Sequence, residues 1–417
     1  MFLDEFEEIP WDALRYTCGE TNYGGRVTDS HDRTNVNAML RLVYTAEVLK
    51  EDYRFSESGT YYAPPDGTIE DHRQFIRDLP LVEAPECFGL HENANITFAT
   101  AETYTLFENL LALMPRGGAG GGGGGGSDRI LEAMTTDMLD RMPVQNDFFV
   151  HGLPFRVDDV RELYPTMYTE SMNTVLTQEL LRFNLVVVLI RSSLKQLRDA
   201  VRGVVVMSSD LERTSVSFLN GAIPAMWASK CYPSLKPLAS FFDDFMRRLK
   251  FLQSWITDGM PVVYWISGFY FTQSFLTGTM QNYARKHRRA IDTLSWSFEV
   301  MREDPENLAR PTDGSFVDGL FLDGAAWDTA GNVLAEQQPK VLFVPMRVIW
   351  LKPCPTDDIV IAPTDYLCPI YKTSARRGTL STTGHSTNFV MDIVLPSPRP
   401  SAHWILRGVA CLTQLDF

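Results

Sequence analysis

Residues 171–201 read SMNTVLTQELLRFNLVVVLIRSSLKQLRDAV, and this stretch decides the fold class. Met172, Leu176, Leu180, Phe183, Val187, Ile190, Leu194, Leu197 and Val201 recur in steps of three and four. That spacing puts them on one face of an α-helix. Ser171 can cap the start and Gly203 can end it. At 1.5 Å per residue the helix would be roughly 45 Å long, so residues around it are expected to form a helical bundle.

Working outward, Leu238–Trp255 repeats the pattern with Phe241, Phe245, Leu249 and Leu252. Asp243/Arg247 and Asp244/Arg248, spaced i,i+4, predict an exposed charged face on this second helix. Gly259 and Pro261 stop it, and a third helix is expected from about Phe271 to Ile291. After Leu294 the sequence turns to short β-rich runs bounded by Gly, Pro and Asp. These are Phe316–Leu322, Val341–Val344, Val348–Leu351, Ile359–Ile361, Phe389–Leu395 and Trp404–Leu412. Several short strands at regular spacing predict a small barrel or sandwich. Before the bundle, residues 115–128 read PRGGAGGGGGGGSD, a run with maximal backbone freedom and almost nothing to bury, expected to be a linker. The segment ahead of it is expected to be helical, over Asp32–Lys50, Ile69–Leu79 and Thr100–Met114.

The chain has 417 residues, 45% hydrophobic and 22% charged, as in a globular protein of two to four units. Its net charge is −14 with an isoelectric point near 5.0. That sign argues against a polyanion partner: no nucleic acid, no anionic membrane. The longest purely aliphatic run, Leu185–Ile190, falls far short of the ~20 residues a membrane span needs. Six sparse cysteines without CxxC spacing predict reduced thiols.

Chemistry-bearing patterns are few. The glycine run lacks the Lys and Ser/Thr of a phosphate-binding GxxxxGK[ST] loop and follows a predicted helix. Gly384-His385-Ser386 resembles the start of a G-x-S-x-G nucleophile elbow, but Asn388 stands at the fifth position and a strand follows. A polar turn is the simpler reading, and a serine hydrolase using Ser386 and His385 stays open as the alternative. The seven histidines show no HxH or HExxH spacing, so no metal, catalytic or cofactor-binding residues are expected and no cofactor. Arg285-Lys286-His287-Arg288-Arg289 is a basic run expected near a helix C-terminus, where the macrodipole favours cations. A partner for it would be an acidic face of another domain.

Longer strings occur together in a fixed order. They include IPWDALRYTCGETNYGGRVTD (9–29), FGLHENANI (88–96), SMNTVLTQELLRFN (171–184), YPSLKPL (232–238), SGFYFTQSFLTGTMQNYARK (267–286), GLFLDGAAWD (319–328), CPIYKT (368–373), RRGTLSTTGHSTNFV (376–390) and HWILRGVACLTQL (403–415). The set resembles the C-terminal region of dynein heavy chains, and RGTLSTTGHSTN resembles the axonemal class, in its inner-arm form. The resemblance implies an α+β chain: a helical AAA+ lid-type subdomain over 1–114, belonging to the sixth module of a motor ring, and a Gly-rich linker over 115–128. The C-terminal domain follows, helical over 129–305 and a small antiparallel β-barrel over 306–417. It also implies a structural and regulatory role without a catalytic site, ATP hydrolysis and microtubule contact lying elsewhere in the parent. Implied partners are neighbouring AAA+ modules and, indirectly, microtubules and dynein intermediate and light chains. The implied location is the cytoplasm, in the cytoskeleton of the ciliary or flagellar axoneme. The glycine run departs from the family pattern, though closure entropy grows slowly enough with length to tolerate it. So short a polypeptide implies an expressed fragment or a truncated gene product.

Overall fold

The computed structural model describes residues 6–22, 27–90, 92–113, 125–142, 155–376, 378 and 387–417. The described helices are α1 (Trp11–Thr17), α2 (Ser30–Val43), α3 (Ile69–Asp78), α4 (Glu92–Leu113), α5 (Gly125–Arg141), α6 (Val157–Leu163), α7 (Ser171–Val201), α8 (Ser209–Leu219), α9 (Ala225–Ala228), α10 (Leu238–Asp258), α11 (Thr272–Lys286) and α12 (Ser401–Leu406). The helix predicted over Asp32–Lys50 stops at Val43 and gives way to a 3₁₀ turn, Ala46–Leu49. The one predicted from Thr100 already starts at Glu92.

The central helix, α7, has the predicted bounds, and Leu176, Leu180, Phe183, Val187, Ile190, Leu194 and Leu197 are fully buried. By length and composition it could cross a membrane. Here its apolar face is the core, flanked by α5, α6, α10 and α11. Gly278 on α11 permits the close approach to α7: a Cβ there would stand 2.8 Å from Met172 Cε. Ser171 is the first helical residue and not the cap, a position held by Glu170. Gly203 does end the helix, at φ +75°.

The strands are β1 (Val263–Trp265), β2 (Leu294–Val300), β3 (Ser315–Asp318), β4 (Phe321–Asp323), β5 (Ala326–Asp328), β6 (Val333–Ala335), β7 (Phe343–Pro345), β8 (Ile349–Pro355), β9 (Tyr366–Tyr371), β10 (Phe389–Leu395) and β11 (Ala410–Leu412). They do not close into a barrel. One open sheet has the order β1-β3-β8-β2, a second has β10-β9-β11-β4-β7, and β5-β6 is a hairpin. Nor is pairing wholly antiparallel, since β1 runs parallel to β3 and β11 parallel to β9.

Gly319 supplies one physical reason. The run predicted as a single strand, Phe316–Leu322, breaks there at φ +84°, and its halves, β3 and β4, enter different sheets. A Cβ at Gly319 would meet the Trp265 indole at 2.4 Å, so only glycine allows the turn. Similarly, Trp404–Leu412 is helix α12, then Gly408 at φ +63°, then β11. Ile359–Ile361 is not a strand, and Val360 is exposed. Strand β9 was hidden because Pro369 sits in it although it lies between two partners, where a missing N–H is normally excluded.

One continuous apolar core runs from Leu131 through the helices and both large sheets to Cys411, and no described residue before Leu131 belongs to it. The N-terminal part therefore does not share that core.

Candidate docking surfaces and the joint between the two parts

Two side chains on α2 and α4 tie the N-terminal part to the sheets. Asp29 caps α2 by accepting the backbone N–H of His31 (2.8 Å) and of Asp32 (3.2 Å). This fixes His31, whose Nε2 lies 3.1 Å from Asp392 Oδ1 on β10 and whose ring packs 5.4 Å from Phe389. The Asp392 partner outweighs burial and raises the His31 pKa above 6.5, with Asp29 and Asp32 adding to the field. On the other side, buried Asn93 donates Nδ2–H to Gln337 Oε1 (2.7 Å), and Lys340 N–H donates back to Asn93 Oδ1 (3.3 Å). Helix α12 also packs against α2.

The C-terminal body is stiffened by two buried charges. Glu179 on α7 is fully buried and accepts the N–H of Tyr270 (2.5 Å) and of Phe271 (3.1 Å), with Arg182 Nη1 at 3.1 Å. Burial pushes its carboxyl up, against the two amides and Arg182. Arg248 on α10 is 2% exposed. Its Nε donates to Asp244 Oδ2 (2.6 Å), its Nη1 donates to the Phe269 carbonyl (3.2 Å), and its guanidinium stacks 3.7 Å over Tyr232. The Tyr232 hydroxyl donates to the same Asp244 oxygen (3.0 Å). The predicted exposed face of α10 is thus corrected: the i,i+4 pair Asp244/Arg248 forms but inside the body, and Asp243 pairs with Arg141 in place of Arg247. Arg247 lies over Trp265.

Apolar surface is left open in three places. From Ala99 onward every described side chain of α4 is exposed, including Tyr104, Leu106, Phe107 and Leu110. Helix α7 exposes Leu181, Leu185 and Val188 at helical spacing, and Val204–Met207 follow as four consecutive exposed apolar residues. Runs of that kind are anomalies on a surface unless something covers them. In the N-terminal part, a cavity of about 430 Å³ is lined by Val36, Leu40, Tyr44, Phe55, Tyr62 and Phe75, among others.

Ser386 and His385 lie outside the described residues, as do His91, His151 and residues 115–124 of the glycine run; residues 125–128 begin α5. Among the described residues no group of three or more His, Cys, Asp and Glu is disposed to hold a metal. The cysteines described are free; Cys368 and Cys411 lie 3.8 Å apart on neighbouring strands. The basic run ends α11: Lys286 and His287 share Asp313, and Arg285 donates to Asn282 Oδ1 (2.7 Å). Sequence reasoning missed Glu179, Asn93 and His31. Their signal was faint: a carboxylate flanked by buried positions of a helix, and polar residues near helix starts.

The structure is thus an α+β protein whose aromatic-rich body is clamped by buried charged groups and which leaves several apolar faces open. The family model for the C-terminal domain of the dynein heavy chain matches residues 100–413, and that for the AAA lid domain of the dynein heavy chain matches residues 1–94. The chain belongs to the dynein heavy chain family. It is 49% identical over its whole length to dynein axonemal heavy chain 12 of Homo sapiens, of which it covers 13%. Identity is 48% to dynein axonemal heavy chain 3 and 47% to dynein axonemal heavy chain 1, both of Homo sapiens, again over the whole chain and 10% of each. The chain thus spans about a tenth of the length of these relatives. The comparisons lend no support to a serine hydrolase.

Proposed function

We propose that this chain serves as the C-terminal region of an axonemal dynein heavy chain, a packed element that braces a AAA+ motor ring in the cilium or flagellum and modulates its output. ATP turnover and microtubule contact belong, in this reading, to other parts of the parent. Its direct partners are neighbouring AAA+ modules of the same heavy chain, and microtubules and dynein intermediate and light chains are reached only through them. The division into a lid-type subdomain (1–114), a linker (115–128, whose last four residues already begin α5) and a C-terminal domain with a mainly helical part (129–305, which also supplies β1 and β2) and a sheet part (306–417) belongs to the same proposal.

The observation that carries it is α4. Its exposed half carries Tyr104, Leu106, Phe107 and Leu110 on more than one side, interspersed with Thr100, Glu102, Thr103 and Thr105. A helix apolar on several sides is stable in water only when covered. A rigid body covering ring modules biases their equilibrium only if it contacts one conformational state better than the other. The test is a complete heavy chain lacking residues 129–417. Altered microtubule-gliding velocity or ATPase rate is expected; both unchanged would remove the proposal.

A further inference from the structure

Four of the described α-helices, α7, α8, α11 and α12, end in the same backbone device, the last with Gly408 (φ +63°) in the left-handed position. After α7 and α8 the backbone forms a Schellman turn: Val204 N–H donates to Asp199 O and Ala222 N–H to Ser217 O, with Gly203 (φ +75°) and Gly221 (φ +65°) in the left-handed position. After α11 the same pair of bonds forms, Arg289 N–H to Ala284 O and Arg288 N–H to Arg285 O. Here the left-handed residue is Arg288, at φ +53°. Glycine adopts that conformation without strain and arginine does not. A side chain kept where glycine would be more stable points to a use for it.

The surroundings say which use. Residues Lys286–Ala290 are all exposed. Asp313 serves both Lys286 and His287, while among the described residues no carboxylate pairs with Arg288 or Arg289. Lys286 pairs with Asp313 and Arg285 turns to Ser171, Asn282 and Tyr168, which leaves the Arg288 and Arg289 guanidiniums as a local positive excess in a protein of net charge −14. At physiological salt the screening length is ~8 Å, so this local excess is felt despite the acidic remainder. A long polyanion would extend into that remainder, whereas a short acidic segment would stay within the patch. Guanidinium forks match carboxylates bidentately.

We propose that the C-terminal end of α11 is an electrostatic docking site for a short acidic polypeptide segment, with Arg288 and Arg289 gripping its carboxylates. The test titrates a fluorescein-labelled hexaglutamate peptide into the 417-residue protein by anisotropy. Binding that weakens between about 50 and 200 mM NaCl is expected. Arg288→Gly should weaken it about tenfold while leaving the melting temperature equal or higher, a split that a merely structural arginine would not give. Arg289→Gln, which leaves the left-handed residue untouched, should weaken it similarly. Wild-type affinity in both variants would overturn the proposal, as would binding of a thymidine hexanucleotide in preference to hexaglutamate.

Discussion

Arg248→Met tests whether the body is held as described. The arginine is 2% exposed, and its partner Asp244 has a side chain only 10% exposed. Removing one member of a buried pair strands the other, at a cost of about 3–5 kcal/mol. The lower end applies, because Asp244 keeps the Tyr232 hydroxyl at 3.0 Å and the methionine refills part of the stem's volume. The Phe269 carbonyl also loses its donor. At 2–4 °C per kcal/mol for a body of this size, a loss of about 3 kcal/mol lowers the melting temperature by roughly 6–12 °C. Near-ultraviolet circular dichroism reads it directly, since Tyr232, Trp265 and Phe269 surround the site. Arg248→Met combined with Asp244→Leu removes both charges and should recover at least half of the loss. A single variant that melts within about 2 °C of wild type, or a double variant no better than the single, refutes the assignment of Arg248 as a buried clamp.

Gly314→Ala should be severely destabilising, by at least about 2 kcal/mol in urea unfolding, because the residue sits at φ +76° and a Cβ would stand 2.0 Å from the Leu351 carbonyl oxygen; an unchanged midpoint would contradict the β3–β8 register. The joint should depend on pH through His31, which faces Asp392, Asp29 and Asp32. Its pKa is raised in the folded state, so its contribution is complete below about 6.5 and is lost as pH rises through the higher folded value. The melting-temperature difference between wild type and His31→Gln should therefore shrink from about pH 6 to about pH 8.5, and a constant difference would refute the tie.

Hydrophobic spacing in the sequence was enough to place α7 to the residue, because a 3.6-residue stripe has one solution over so many turns. It also located α10, and β10 at Phe389–Leu395, whose bounds match. The order of helical part before sheet part was equally legible, as was the family, which rests on long ordered strings and not on any one residue. What tertiary structure alone decided was everything that depends on who faces whom. Arg248 reads as a surface charge until Tyr232, Asp244 and Phe269 close around it. Phe316–Leu322 reads as one strand until Gly319 divides it between two sheets. Strand β9 is interrupted in sequence by Pro369 yet its neighbours pair around it, and the sheets stay open where regular strand spacing suggested a small barrel or sandwich and the family resemblance a barrel. The reason is physical: periodicity is a local property that a single segment expresses, whereas sheet partners and buried ion pairs are fixed by contacts between residues tens to hundreds of positions apart, which no local window contains.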